Sequence, residues 1–506
     1  MRPQTALLAL LSLTPAFAAN WLTDGGSPQR TGWQQDETAL SKSSAPNLKI
    51  LWKLKLDNVP RQMHSLFPPL IVGPIAIESG ISDNIYAIDI SKGTLLWKRH
   101  FDYPPPARNG GATDPLCPGG QTAVPVVGPP NAAGVRTLYA LAGNGELHSM
   151  SLEDGRDISP PFLFGYPNEK AYALNLWNNV IFTTTSQGCA GNPNQMWSTE
   201  ITDPTHKVMT FNPKSGGLWG RSGAAIDSTG TAWAPTGDGV YDLAAQRYGN
   251  GLIGAHVVGN ELQLKDWYEP TNWAWMQKRD LDMQVTPAIF TYKGREVMVT
   301  GSKECRVYLL DVKQAGGSNH QTPEYRSPLL CNEETNFASA GIWGSMATWE
   351  DANGTRWVLT SFWGPVHKDF KVPVSYGPVK HGAIVAFKVE EKAGKLVLTP
   401  AWMSRDMDQA EPPVIANGVV FAYGSGENTA QAYPDRGLQD SSPLRIKASG
   451  HAVLYALDAD NGKELYSSGD QIATFAHFSG LSVANGRVYL GTYDSVLYCF
   501  GLPGVQ

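Results

Sequence analysis

Apolar positions along this chain seldom recur at the three- and four-residue intervals of a helix face. They come in short alternating or continuous runs that stop at Gly, Asn-Gly or Asp-Gly, as in NGVVFAYGSG from Asn417, NGRVYLGTYDSVLYCFG from Asn485 and TAWAPTGDG from Thr231. Alternation of period two is the pattern of a half-buried strand, and a short apolar run closed by a glycine turn is that of a hairpin strand. The pattern predicts an all-β fold of many short strands.

A longer order lies over the strands. An aromatic-apolar strand, an Asp, a polar turn with Gly and a closing aromatic make up IYAIDISKGTLLWKRH from Ile85 and VLYALDADNGKELYSSG from Val453, with weaker copies from Ser149, Val208, Val307 and Ile384. Repetition at this scale means a propeller or a solenoid, and four-stranded units closed by aromatics favour a propeller. The last strands, GRVYLGTYDSVLYCFG, read as a closing blade that residues near the N-terminus would complete. No stretch is long and polar enough to divide the chain, so residues 20–506 are expected to form one propeller domain.

Composition adds three constraints. The first nineteen residues, MRPQTALLALLSLTPAFAA, have the early Arg2, short apolar run and small residues of a secretory signal peptide, and no later stretch approaches a membrane span. The mature chain is therefore expected to be exported, to a periplasm, without a membrane span. With 52 Gly, 36 Pro, 16 Trp and only 17% charged residues, it suits tight turns and aromatic packing. A net charge of -6 offers no basic surface for nucleic acid. Five cysteines in an oxidising compartment allow at most two disulfides, and Cys305 and Cys331, which flank one predicted strand pair, are the expected partners. No Cys-x-x-Cys occurs, which excludes a covalently attached c-type haem on this chain.

The segment RDLDMQVTP, from Arg279, places Asp280 and Asp282 two residues apart ahead of a strand-like run. In a strand they would share a face, where like charges repel unless a cation lies between them. The alternative is a surface loop in which they pair with Lys278 and Arg279.

The repeat YALDADNGKELY resembles the tryptophan-docking repeat of the pyrroloquinoline quinone family of propellers; the copy at Ile85 keeps the closing Trp97, while the one at Val453 ends in Tyr466. Such repeats occur in eight-bladed quinoprotein alcohol dehydrogenases and in non-catalytic propellers alike. The resemblance implies a single propeller of eight four-stranded blades. GGLWGRSGAAIDSTGTAWAPTGDG, from Gly216, resembles the dehydrogenase segment that supplies a tryptophan beneath the quinone and a metal ligand, which implies these roles for Trp219 and Asp238. RDLDMQVTPAIFTYKGREVMVTGSKECRVYLLDV resembles the segment carrying the catalytic base. It implies Asp280 as base and metal ligand, Asp282 as a second carboxylate of the kind associated with rare-earth ions, and Lys303 as the cation at the quinone's carbonyl oxygens. The activity implied is oxidation of a small-molecule alcohol or sugar with pyrroloquinoline quinone and a calcium or lanthanide ion, with electrons passed to a separate acceptor. The other reading is a non-catalytic propeller serving as a periplasmic binding or assembly scaffold.

The chain departs from that family at several points. ATDPLCPGGQTAVPVVG holds only Cys117 where the family has two adjacent cysteines followed by an Arg, and RQMHSLFPPLIVG offers His64 and Ser65 in place of a cofactor-binding Glu. TTTSQGCAGNPNQMWSTEI has an acid only at Glu200 where a metal-binding Glu belongs. Taken singly, Trp219 also suits blade packing and Asp238 an ordinary turn. The histidines show no metal-ligand spacing, although His64, His367 and His477 lie in loops of the kind that line a propeller's axis. The aromatics of DWYEPTNWAWMQKRDLD either wall a substrate entrance, the reading favoured because the loop also holds Asn272 and Gln277, or belong to the blade core.

Overall fold

Short strands leave unpaired edges unless the sheets close on themselves, and radial repetition is one way to protect them. The computed structural model describes residues 19–103, 116–331, 340–428 and 442–504. All of the expected signal peptide except Ala19 lies outside the described residues, as do residues 112–115 of the cysteine-poor segment. The chain forms an eight-bladed β-propeller of four-stranded blades. Among the described residues no helix is long and apolar enough to cross a membrane.

Blade 1 comprises Leu70–Val72, Ile75–Gly80, Asn84–Asp89 and Thr94–His100, each antiparallel to the next. The meander recurs around the ring to blade 8, whose strands Ser482–Ala484, Arg487–Gly491 and Val496–Gly501 take their fourth partner from the N-terminal Lys49–Lys55. This is the closure foreseen from GRVYLGTYDSVLYCFG.

The docking repeat acts between blades. Trp97, on the outer strand of blade 1, donates its indole N–H to Leu152 O of blade 2 at 2.9 Å and lies against Gly155, where a β-carbon would come within 2.6 Å of the ring. Trp52 joins blade 8 to blade 1 through Ile90 O and Gly93 in the same way, and Trp402 joins blade 6 to blade 7 through Ala459 O and Gly462. Each glycine has positive φ, so it supplies both the turn and the surface on which the indole rests.

A second device runs along the axis. Residues 21–34 visit all eight blades in order and bond to the inner strand of each or to the residue just before it. Trp21 exchanges two backbone bonds with Ile71, and Leu22 O accepts from Val127 N. Thr23 Oγ1 donates to Leu174 O at blade 3 at 3.3 Å, Pro28 O accepts from Ile226 N, and Gln29 O from Ile289 N. Thr31 O and Gly32 O then accept from Thr348 N and Ile415 N, where Trp33–Gln34 runs parallel to Val414–Ala416, and Gln34 Nε2 donates to Val483 O. Arg30 is the rivet of this thread. Fully buried at φ +58, it donates to Thr23 Oγ1 at 2.6 Å, to Asp24 O, to Leu174 O at 3.0 Å and to Ala224 O at 3.4 Å. Asp24, in turn, lies 3.4 Å from the guanidinium of Arg221.

Near Arg221 lies Glu411, wholly buried beside Tyr423. Burial pushes its carboxyl up to about 8, opposed by Arg221 and reinforced by Glu427.

Two stability predictions follow from the axial groups. Arg30→Met removes four buried hydrogen bonds, leaving Asp24 O without a donor, and is expected to cost about 3–5 kcal/mol in denaturant unfolding, as for other broken buried charge networks. Glu411 binds its proton more tightly folded than unfolded, so its contribution to stability is full below about 4.5, falls as pH rises and is lost above about 8. Glu411→Gln should flatten the decline of unfolding free energy over that window by at most about 1.4 kcal/mol per pH unit. An unchanged slope would show that Glu411 is already ionised in the fold.

Candidate functional site

Each blade hands its chain to the next through loops beside the axis, and at one end these loops enclose a cavity of about 270 Å³. Blade 4 contributes Trp219, which follows Gly217–Leu218, and Asp238, which follows Ala232–Gly237; blade 5 contributes Lys303, just past Arg295–Gly301. Asp280 lies between the two blades, after the single helical turn Trp273–Gln277. Four of the five residues singled out in the sequence thus line one cavity, and the fifth, Asp282, is buried directly beside it.

The two aspartates do not sit on a strand. Asp280 has φ +54 and ends the helical turn, with Asp282 in the extended segment behind it. They still meet a common cation. Lys303 Nζ lies 2.6 Å from Asp280 Oδ1 and 2.9 Å from Asp282 Oδ1, while the backbone N–H of Lys303 donates to Asp282 O at 3.0 Å. Burial raises the Asp282 carboxyl against the pull of this ammonium. Burial also pulls on Lys303, but the two carboxylates outweigh it and hold the ammonium above its ordinary value. Asp238 is raised by burial and by Asp280, with Lys303 opposing. Gln187, Asp238, Asp280 and Phe478 all line the cavity with φ between +48 and +70, a backbone region that non-glycine residues occupy at a cost and that gathers at functional sites.

Trp219 packs over Gly217 and Gly237, where added β-carbons would lie 2.9 and 2.8 Å from the ring, and its buried indole N–H has no hydrogen-bond partner. The ammonium of Lys170 stands 5.5 Å from its ring centroid. The aromatic wall is not the one expected. Trp267 stacks on His320 at 3.7 Å, Trp273 meets Tyr241 edge-on at 6.2 Å, and Trp275 lies against Arg279, all away from the cavity lining. The wall is built by Trp343, Trp363 and Phe478, with Trp343 and Trp363 stacked at 4.9 Å, because the loops of blades 6 to 8 and not the helical turn face the axis.

A second polar corner escaped the sequence reading. Glu427, fully buried, accepts from His477 Nδ1 at 2.5 Å and pairs with Arg445 on the helix Ser442–Ala448. Burial works to raise Glu427, but His477 and Arg445 hold it below the usual range. His64 stands edge-on to His477 at 4.6 Å, with its Nδ1 buried and unpartnered; burial, then His477, Lys170 and Arg445, push it well below the usual imidazole value. Of the three axial histidines considered, His64 and His477 meet and His367 does not, being held beside Leu330 and Asp369. Fifty residues separate Glu427 from His477, so no spacing motif could flag the pair. Both disulfides border the site. Cys305–Cys331 is the pair expected from the sequence, and Cys117–Cys189 links Leu116, on the cavity wall, to the loop after Gln187.

The lining suits a flat anionic cofactor. It offers an aromatic surface at Trp219, the unpartnered N–H of that indole, and Lys170, Arg221, Arg445 and His64 as donors. It does not suit a hard cation, which takes six to eight oxygen ligands. The Lys303 ammonium stands between Asp280 and Asp282, and the other oxygen of Asp282 is walled by Gly237, where a β-carbon would lie 2.1 Å away. In TTTSQGCAGNPNQMWSTEI, Cys189 is in a disulfide, Asn194 is bonded at both ends of its amide, and Glu200 is exposed and bonded to Thr202.

No protein-family model matches this chain, and no curated protein matches it. Solved structures do. A europium-containing methanol dehydrogenase superposes with a TM-score of 0.59 at 12% identity, over 96% of this chain and 98% of that one. The quinohemoprotein alcohol dehydrogenase from Comamonas testosteroni gives 0.59 at 13% identity, and ADHIIG from Pseudomonas putida HK5 gives 0.59 at 11%, each over 96% of this chain and 81% of that one. At these identities the likeness is one of fold: this chain shares the propeller of the quinoprotein alcohol dehydrogenases.

Proposed function

We propose that the chain is an exported quinoprotein-like oxidoreductase whose axial cavity takes pyrroloquinoline quinone and oxidises an alcohol or sugar, passing electrons to a separate acceptor. The observation that carries this reading is the meeting of Trp219, Asp238, Asp280 and Lys303, drawn from separate loops, around one cavity.

In this reading Trp219 supports the flat face of the cofactor, and Lys170, Arg221 and Arg445 face its carboxylates. The bound quinone supplies the acceptor for the electron pair and hydrogen of the substrate's carbinol C–H bond. Asp280, 38% exposed where Asp282 is only 1%, is the carboxylate of the pair that a substrate can reach, and it accepts the hydroxyl proton. Lys303 orients that carboxylate through its 2.6 Å bond. Trp343, Trp363 and Phe478 shield the proton transfer from bulk water.

Titration with pyrroloquinoline quinone should quench tryptophan fluorescence, and Trp219→Ala should weaken binding about tenfold, equivalent to the loss of roughly 1.4 kcal/mol of aromatic contact. Asp280→Asn should leave binding intact and lower dye reduction with an alcohol and sugar panel by about 10²–10⁴-fold. Absence of any quenching would sink the oxidoreductase reading and leave the scaffold.

A further inference from the structure

We infer that the cation of this site is part of the chain: the Lys303 ammonium stands in place of a bound metal ion, and the cavity takes its ligand without calcium or a lanthanide. Two carboxylates are drawn together around one positive charge, and that charge is already supplied. Lys303 Nζ is within 2.6 and 2.9 Å of Asp280 and Asp282, and its side chain is only 9% exposed.

The ammonium is held by more than its two partners. Its backbone is tied to Asp282 O, and Gly341 lies so close that a β-carbon there would be 2.5 Å from Lys303 Cα. Two residues on, Cys305 is cross-linked to Cys331. The ammonium also faces the Trp343 ring at 5.1 Å. A lysine on a flexible stem would swing aside for a metal ion, whereas this one is fixed at its backbone and bound at its head.

A metal ion would have to expel that ammonium to reach Asp282, since Gly237 walls the other oxygen. Without Asp282, the carboxylate and amide oxygens left in this part of the lining are those of Asp238, the second oxygen of Asp280 and the amides of Gln187 and Gln284, five at most where a hard cation takes about six to eight. A fixed ammonium provides what the ion would provide at this place, a positive charge beside the oxygen of a bound ligand on which negative charge develops. It carries a single charge and needs no loading.

Terbium(III), added without quinone, tests this directly, because Trp219 and Trp343 would sensitise its luminescence if it bound beside them. The wild-type protein should give no saturable sensitised emission at micromolar terbium. Lys303→Gln, which leaves two carboxylates without their cation, should gain at least a tenfold rise in emission, and adding Asp282→Asn should abolish that gain. One terbium bound per wild-type chain at micromolar concentration, with the signal lost in Asp282→Asn, would overturn the inference. A second arm needs no variant and rests on the quinone reading: quinone affinity in the wild type should be unchanged by EDTA or by added calcium or lanthanum. A tenfold tightening on adding either ion would overturn metal independence while upholding quinone binding, and absence of quinone binding would fail that reading while leaving the terbium result standing.

Discussion

The thread of residues 21–34 is the constraint on which the rest of the molecule depends. A propeller of eight sheets has no central element of its own, and the inner strands are only two to five residues long. Bonding a single segment to the inner edge of each blade, from Ile71 to Val483, gives those strands a common partner and fixes their distance from the axis. Asp24 of the thread pairs with Arg221, and Arg221 is part of the cavity's lining, so the base of the site is set by the same segment that holds the ring.

The upper face is built on different terms. Blade loops, not strands, carry the polar groups, and they are made rigid by two disulfides, by positive-φ residues at Asp238 and Asp280, and by glycines at 237 and 341 that admit close neighbours. Two charged corners result, one centred on Lys303 between two carboxylates and the other on Glu427 between a histidine and an arginine. Both bury charge at a cost that only good pairing offsets. Their placement in one cavity, with an aromatic wall between blades 6 and 8, gives a ligand site whose charges are paired before any ligand enters.

The strands and the ring were legible because both depend on local pattern: period-two alternation, glycine turns and the Asp-turn-aromatic repeat. Trp97 was legible for the same reason. Trp52 performs the same docking but stands at the far end of the chain from blade 8, so no repeat frames it. The aspartate pair was legible as chemistry and misread as geometry: the left-handed backbone at Asp280 removes it from a strand, yet the cation between the carboxylates exists and is Lys303. The thread left little side-chain signal because most blades are bonded through its backbone groups; Thr23, Asp24, Arg30 and Gln34 act through side chains, but at no recurring spacing. The aromatic wall was misplaced for a related reason, since tryptophan density in a segment does not say which way a loop folds over the axis.

The partnership of Lys49–Lys55 with Val496–Gly501 joins segments more than four hundred residues apart. The entropy of closing so long a loop grows only logarithmically with its length, so the cost to final stability is small. The cost in time is larger, because the earlier segment waits for one made more than four hundred residues later before its edge is covered. During that interval Lys49–Lys55 is an unpaired strand, and its three lysines are the kind of charge that discourages wrong partners. The ring's seam is thus also its timekeeper: the ring closes only once Val496–Gly501 has been made.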